Sequence, residues 1–131
     1  MGVILGRDIL TRTALKTERV EVPELGGTVI LREMSAAQVV EFVRYMAAQD
    51  GGDAGADMRR ATWTLITCMV DEAGDQVMGL DDMDAIMATL PANLINRLST
   101  RAGVLSGMIP DAIASAEKNS ESRQSDDSGT P

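Results

Sequence analysis

The pattern of hydrophobic and polar positions predicts a β-hairpin that leads directly into an amphipathic helix. Val20 and Val22 alternate with charged residues, which is typical of a half-buried strand. Residues 28–31 form a second apolar and β-branched run, and the segment between the two runs contains one proline and two glycines. This composition favours a hairpin loop that needs a positive φ near its exit.

The start of the helix after the hairpin is the best-specified local feature of the chain. Ser35 is a good N-cap residue, and Gln38 three positions later completes a capping box. Met34 and Val39 occupy the two positions of a hydrophobic staple. An apolar stripe at helical spacing follows, as expected for one face of an amphipathic helix. The members of this stripe are Val39, Phe42, Val43 and Met46.

A two-stranded ribbon is marginal in water, so it must pack on helices supplied by the rest of the chain. A loop rich in glycine and aspartate over 49–57 separates the first helix from a second one over 57–70, and Asp57 can cap this second helix. The stripe of the second helix comprises Met58, Ala61, Thr62, Leu65 and Met69, with Trp63 and Ile66 beside it.

An acidic turn region over 71–79 follows, for which a small second hairpin and a plain loop are equally good interpretations. Asp81 or Asp82 then starts a third helix, and Pro91 ends it and can be the first residue of a fourth helix. Gly107 is a plausible C′ residue for this fourth helix. The two apolar stripes are Met83, Ile86, Met87 and Leu90, and then Leu94, Ile95, Leu98, Ala102 and Leu105.

These elements predict a mainly α fold with a small β-hairpin (α+β), in which a two-stranded ribbon packs on a bundle of about four helices. Residues 1–17 form an N-terminal arm and residues 18–110 a single globular domain. Residues 111–131 are expected to form a short helix and a disordered C-terminal tail, because residues 119–131 contain almost no apolar side chain.

Composition narrows the function classes. The formal net charge of −8 argues against non-specific nucleic-acid binding, which needs clustered lysine and arginine. The chain has no histidine, the commonest general base and metal ligand, and Cys68 is its single cysteine, so no internal disulfide can form. We expect Cys68 to be an inert buried thiol. No apolar run reaches the ~18 residues of a membrane span, so we expect no membrane partner and a cytosolic protein.

The sequence motifs that could indicate a calcium site or a phosphate-binding loop are incomplete. An EF-hand loop beginning at Asp71 would need a carboxylate or amide at Ala73 and a glutamate at Asp82. The glycine pairs at 26–27 and 51–52 lack the lysine that follows the glycines of a phosphate-binding loop. We therefore expect no catalytic residue, metal or cofactor, and the protein is not expected to be an enzyme.

In their order and spacing, the motifs resemble those of the phage tail assembly chaperones of long-tailed bacteriophages. Residues 20–35 resemble that family's strand, Gly-Gly turn, strand and Arg-Glu-Leu-Ser helix entry, here Arg-Glu-Met-Ser. Residues 70–75 resemble its acidic Asp-Glu-x-Gly turn, and residues 91–107 its last helix. Leu25 stands where an aromatic residue is common, and Val77-Met78 replaces the usual Leu-Phe. The resemblance covers residues 14–121.

The resemblance implies a non-catalytic chaperone that binds the tape measure protein and keeps it soluble while tail tube subunits are recruited. Such a protein acts in the host cell cytoplasm and is absent from the mature virion. Many members of the family have a longer form made by ribosomal frameshifting, whose extension would recruit the tail tube protein. Residues 117–119, Glu-Lys-Asn, can be encoded GAA-AAA-AAC, which contains a slippery heptamer. Self-association is left open.

Two questions stay open at the level of sequence. Apolar residues of the third and fourth helices can form a partner groove, although the preferred interpretation is that the same residues are the domain's own core. These candidates are Met83, Met87, Leu94, Leu98 and Leu105. The competing functions are a structural minor tail or head–tail connector protein retained in the virion, and a small regulatory binding protein unrelated to phage.

Overall fold

The computed structural model describes residues 2–12, 14–49 and 55–109, and it confirms the predicted α+β class. Within these ranges there are five helices and one three-stranded antiparallel sheet with strand order β1-β2-β3. The strands are β1 (Thr17–Val22), β2 (Gly27–Arg32) and β3 (Met69–Val70). The helices are α1 (Ile9–Arg12), α2 (Ala36–Ala48), α3 (Ala56–Cys68), α4 (Met83–Thr89) and α5 (Ala92–Leu105).

The hairpin forms as its sequence predicts. β1 and β2 pair in antiparallel register, with Val22 opposite Gly27 at the turn. The loop is a 3₁₀ turn over Pro23–Leu25, and Gly26 follows it with a φ of 72°. Its N–H donates to the Pro23 carbonyl at 3.0 Å. The predicted positive φ near the loop exit is therefore confirmed, at the residue type that adopts it without a steric penalty.

The sheet has a third strand, and the sequence did not indicate its pairing with β2. β3 follows α3 directly and pairs antiparallel with β2, so that Met69 lies opposite Leu31. Val70 also forms an isolated bridge with Gln76, which makes the acidic turn a minimal hairpin rather than a plain loop. The Asp71 carboxylate accepts two backbone N–H groups inside this turn. The sheet therefore joins the hairpin to the end of α3.

Helix α3 runs through the core, and its residues 62–68 are all buried. It packs against α4 and α5 and, more lightly, against α2. Two of its three buried threonines, Thr62 and Thr64, each donate the side-chain hydroxyl to the backbone carbonyl four residues earlier. The buried apolar residues of the core, those of α3 included, are Val22, Leu31, Met34, Ala56, Trp63, Leu65, Ile66, Cys68, Val70, Ile86, Leu94, Ile95, Leu98 and Ala102.

Helix α5 ends in a Schellman motif, which confirms Gly107 as the C′ residue. Gly107 has a φ of 76°, and its N–H donates to the Val104 carbonyl at 3.0 Å. The N–H of Met108 donates to the Gly103 carbonyl at 2.9 Å. At its other end the prediction was wrong by one position, because Pro91 is the N-cap and the helix begins at the next residue.

Two ion pairs join α5 to the hairpin. Arg101 lies 2.9 Å from the Glu18 carboxylate, and Arg97 lies 3.1 Å from Glu24. The hydrogen bond from Arg97 lowers the pKa of Glu24 below its usual range. Both pairs are partly exposed, so each contributes little to stability and chiefly orients the hairpin.

The remaining helix starts are partly as predicted. Gly55, and not Asp57, occupies the N-cap position of α3, and Asp57 instead pairs with Arg60 one turn on. Asp82 is the N-cap of α4, and a 3₁₀ turn over Leu80–Asp82 precedes that helix.

Several sequence predictions concern the chain termini. The N-terminal arm contains one helical turn, α1, and five of its large apolar side chains are exposed: Val3, Ile4, Leu5, Ile9 and Leu10. The predicted helix over 111–118 and the predicted disordered tail lie outside the described residues. Among the helices of residues 2–12, 14–49 and 55–109, none is long and apolar enough to cross a membrane.

Candidate functional site

Helix α2 contacts the rest of the domain along one side only. Phe42 and Tyr45 lie against Trp63, with ring centroids 5.4 Å and 5.7 Å apart. The Tyr45 hydroxyl also donates to the Met83 sulfur at 3.7 Å. The three aromatic residues of the chain thus form one cluster that attaches α2 to α3. The capping box at its start is as predicted, with Ser35 and Gln38 bonding reciprocally.

The predicted core stripe of α2 was wrong for two of its four members. Phe42 and Val39 face the core, but Val43 is 57% exposed and Met46 is 40% exposed. Tyr45 takes the inward position instead. Consecutive residues are separated by about 100° around a helix, so turning Phe42 and Tyr45 inward directs Val43 outward. The helix consequently contains no fully buried residue.

The outward side of α2 is apolar. Four exposed residues follow one another at spacings of four, three and four, which is the d-a-d-a pattern of a coiled-coil seam. We call these residues the α2 outer seam: Ala36, Val40, Val43 and Ala47. The helix carries only two charged side chains, Glu41 and Arg44, which pair with each other at 3.2 Å. An exposed apolar helix face of this kind is typical of an interaction surface.

A groove of about 260 Å³ lies beside the seam, between α2, α3 and α5. Met46 borders both features. The far wall is formed by the segment after α5, where Ile109 packs so closely on Gly103 that a Cβ there would lie 2.6 Å from the Ile109 side chain. The groove lining consists of Phe42, Met46, Arg60, Ala61, Thr64, Ser99, Thr100, Gly103, Met108 and Ile109. We call this set the α2–α5 groove.

The five partner residues predicted from the sequence lie elsewhere. Leu94 and Leu98 are 1% and 3% exposed and belong to the core. Met83 and Leu105 are half-buried against that core, and Met87 is half-buried on α4. Of these five residues, a partner that contacts the folded domain would therefore reach only Met83, Met87 and Leu105. The burial of the two leucines agrees with the alternative that this set is the domain's own core.

Potential metal ligands are not clustered in the part of the chain that the structure describes. No group of three or more potential ligands among them is close enough to hold a metal ion. Cys68 is buried, and burial raises its pKa to about 11, with smaller opposing effects from Ser106 and Arg32. The thiol is therefore protonated at neutral pH and is a poor nucleophile.

The outer seam was missed because the sequence of α2 is apolar on more than one side. Val39, Val40, Phe42 and Val43 lie in one short run, and only Val39 and Phe42 of these four pack against the core. The signal that could have found the seam is the exposed spacing of 36, 40, 43 and 47. A helix that is apolar over most of its circumference is expected to contact a second partner surface in addition to the core of its own domain.

Comparison with solved structures gives a match to the structure of the bacteriophage HK97 tail assembly chaperone. The two chains superpose with a TM-score of 0.54 at 20% sequence identity, over 72% of this chain and 94% of the HK97 chain. No family model and no curated protein sequence matches this chain. The likeness indicated by the order of the sequence motifs is thus confirmed at the level of the fold, which this chain shares with the HK97 tail assembly chaperone.

Proposed function

We propose that this protein is a phage tail assembly chaperone. It binds the tape measure protein and keeps it soluble while tail tube subunits are recruited. The observation that carries this proposal is the shared fold, which extends over 94% of the HK97 tail assembly chaperone. The hairpin turn, the capped helix entry and the acidic turn support it independently, since they occur in the order that the family shows.

The surface properties suit a holdase. A tape measure chain exposes long apolar helical faces until the tail tube forms around it. Chains with such faces uncovered would aggregate. The exposed side of α2 offers an apolar contact, and the formal net charge of −8 would keep the complex dispersed. We propose that the protein acts in this way in the host cell cytoplasm and does not remain in the mature virion.

The role is proposed to be non-catalytic and free of cofactors. The chain has no histidine, and its single cysteine is a buried, protonated thiol. A longer form made by frameshifting at 117–119 would carry an extension that recruits the tail tube protein. That part of the proposal is abandoned if the gene reads GAG-AAG-AAT at this place, since the slippery heptamer would then be missing.

Co-expression with the tape measure protein encoded nearby tests the main proposal. We expect the tape measure protein to move from the insoluble to the soluble fraction and to co-purify with this chain. Mass spectrometry of purified virions separates the chaperone from the alternative of a minor tail or head–tail connector protein, because the chaperone should be missing. An insoluble tape measure protein in the presence of this chain would contradict the proposal.

A further inference from the structure

We propose that the α2 outer seam, together with the adjoining α2–α5 groove, is the surface on which the partner docks, and that the docking segment is a single α-helix. The helix would carry large apolar residues at heptad spacing. This inference rests on the function proposed above, and it assigns the contact to α2 in place of the α4 and α5 residues that the sequence suggested.

The spacing of the exposed residues determines the kind of partner. Residues at d-a-d-a positions fall within a narrow strip along one side of a helix, and such a strip is complementary to another helix crossing at a shallow angle. Val40 and Val43 lie at the middle of the seam and are 51% and 57% exposed. The alanines at 36 and 47 present little bulk at its two ends, so a partner helix can approach closely there.

The groove extends the same surface. Met46 borders both the seam and the groove, so a helix lying on the seam can direct side chains into the groove from one edge. The groove volume of about 260 Å³ is below the roughly 300–1,000 Å³ of small-molecule sites, which favours insertion of side chains over a small ligand. Its walls combine apolar groups with the hydroxyls of Thr64, Ser99 and Thr100.

A second copy of this chain is a poor occupant. α2 has 13 residues and is about 20 Å long, and two of its four seam residues are alanine. A pair of such seams falls short of the roughly 800 Å² per partner that a stable specific interface buries. Each copy also carries a formal net charge of −8, so two copies repel each other at close approach. A longer helix from a different chain avoids both problems, since it can use larger side chains and the groove.

The test uses the full chain co-expressed with its tape measure protein. In the double variant Val40→Gln/Val43→Gln the seam becomes polar, while glutamine keeps the helix propensity high. A matched control, Val77→Gln/Leu80→Gln, changes two equally exposed apolar residues that lie outside α2, between β3 and α4. We expect the seam variant to retain about one tenth or less of the co-purifying tape measure protein, with an unchanged Tm, and the control to retain all of it.

A crosslinking experiment keeps the proposal testable even if the double variant is unstable. Val43→Cys is labelled with a photoactivatable maleimide, while Cys68 stays unlabelled because it is 1% exposed. We expect an adduct with a helical segment of the tape measure protein, and no adduct from the control Val77→Cys. Normal capture by the double variant, or an adduct formed only between two copies of this chain, overturns the assignment to α2. A wild-type chain that captures no tape measure protein overturns the proposed function itself.

Discussion

The backbone N–H of Met34 donates a hydrogen bond of 2.9 Å to the hydroxyl oxygen of Ser106. These residues are 72 positions apart. Met34 leads from the hairpin into α2, whereas Ser106 is the C-cap of α5. This single contact joins the start of the helix that carries the outer seam to the end of the helix that forms the groove wall. The position of α2 therefore depends on how α5 ends.

Replacing Ser106 with alanine should destabilise the domain by about 1–3 kcal/mol, because it leaves the partly buried Met34 N–H without its acceptor. Chemical denaturation monitored through Trp63 measures the loss. Ser99→Ala is the control, since that hydroxyl donates only to an exposed carbonyl within its own helix. Equal stability of the two variants would mean that water replaces the Ser106 hydroxyl.

Ser35→Ala should cost about 1 kcal/mol, because the serine hydroxyl accepts the Gln38 N–H at 3.2 Å. Gln38→Ala removes the reciprocal bond and should cost less. The double variant should lose less than the sum of the two, since both side chains belong to one capping box. Fully additive losses of unfolding free energy would show that the two bonds act independently.

The features predicted correctly from the sequence are local ones. The capping box at Ser35, the positive φ near the exit of the hairpin loop and the C′ position of Gly107 each depend on a few neighbouring residues. Their energies come from backbone groups within one turn, so adjacent residue types are enough to specify them. The order of these motifs was also sufficient to indicate the fold.

The features that the sequence could not give depend on contacts between distant segments. β3 is two residues long and forms because α3 ends beside β2, which no periodicity signals. The inward side of α2 was misassigned because its apolar pattern allows either Val43 or Tyr45 to face the core. Tyr45 faces inward in the structure, where its ring stacks on that of Trp63. The candidate docking surface follows from that choice, so it could be located only once the helix packing was known.

Leu98→Ala should destabilise the domain by about 2–5 kcal/mol, because it creates a cavity beneath α5 in a core position that is 3% exposed. Met87→Ala, at a half-buried position on α4, should cost about 1 kcal/mol or less. Thermal unfolding of the two variants measures both effects. Loss of partner capture by Met87→Ala without a change in Tm would instead place a partner contact on α4.

Gly26→Ala should destabilise the hairpin by about 1–2 kcal/mol, because a Cβ is unfavourable at the φ of 72° that this residue adopts. The neighbouring Gly27 lies outside the positive φ region and has open space around its Cα, so Gly27→Ala should be neutral or slightly stabilising. Comparison of the two denaturation midpoints isolates the effect of φ. Similar losses in both variants would indicate that the loop tolerates neither side chain for a reason other than φ.

The buried thiol of Cys68 makes stability depend on pH at the alkaline end. Burial raises its pKa to about 11 in the folded state, whereas the thiol of the unfolded chain has a pKa near 9.0. Below pH 9 both states are protonated and the thiol contributes no pH dependence. Between pH 9 and 11 only the unfolded state releases this proton, so the free energy of unfolding should fall as pH rises through this range.

Cys68→Val provides the comparison, because it removes this titration while keeping an apolar side chain of similar size. We expect the wild-type chain to lose stability more steeply than Cys68→Val between pH 9 and 11, measured by urea denaturation at each pH. Parallel curves for the two chains would show that Cys68 ionises alike in the folded and unfolded states.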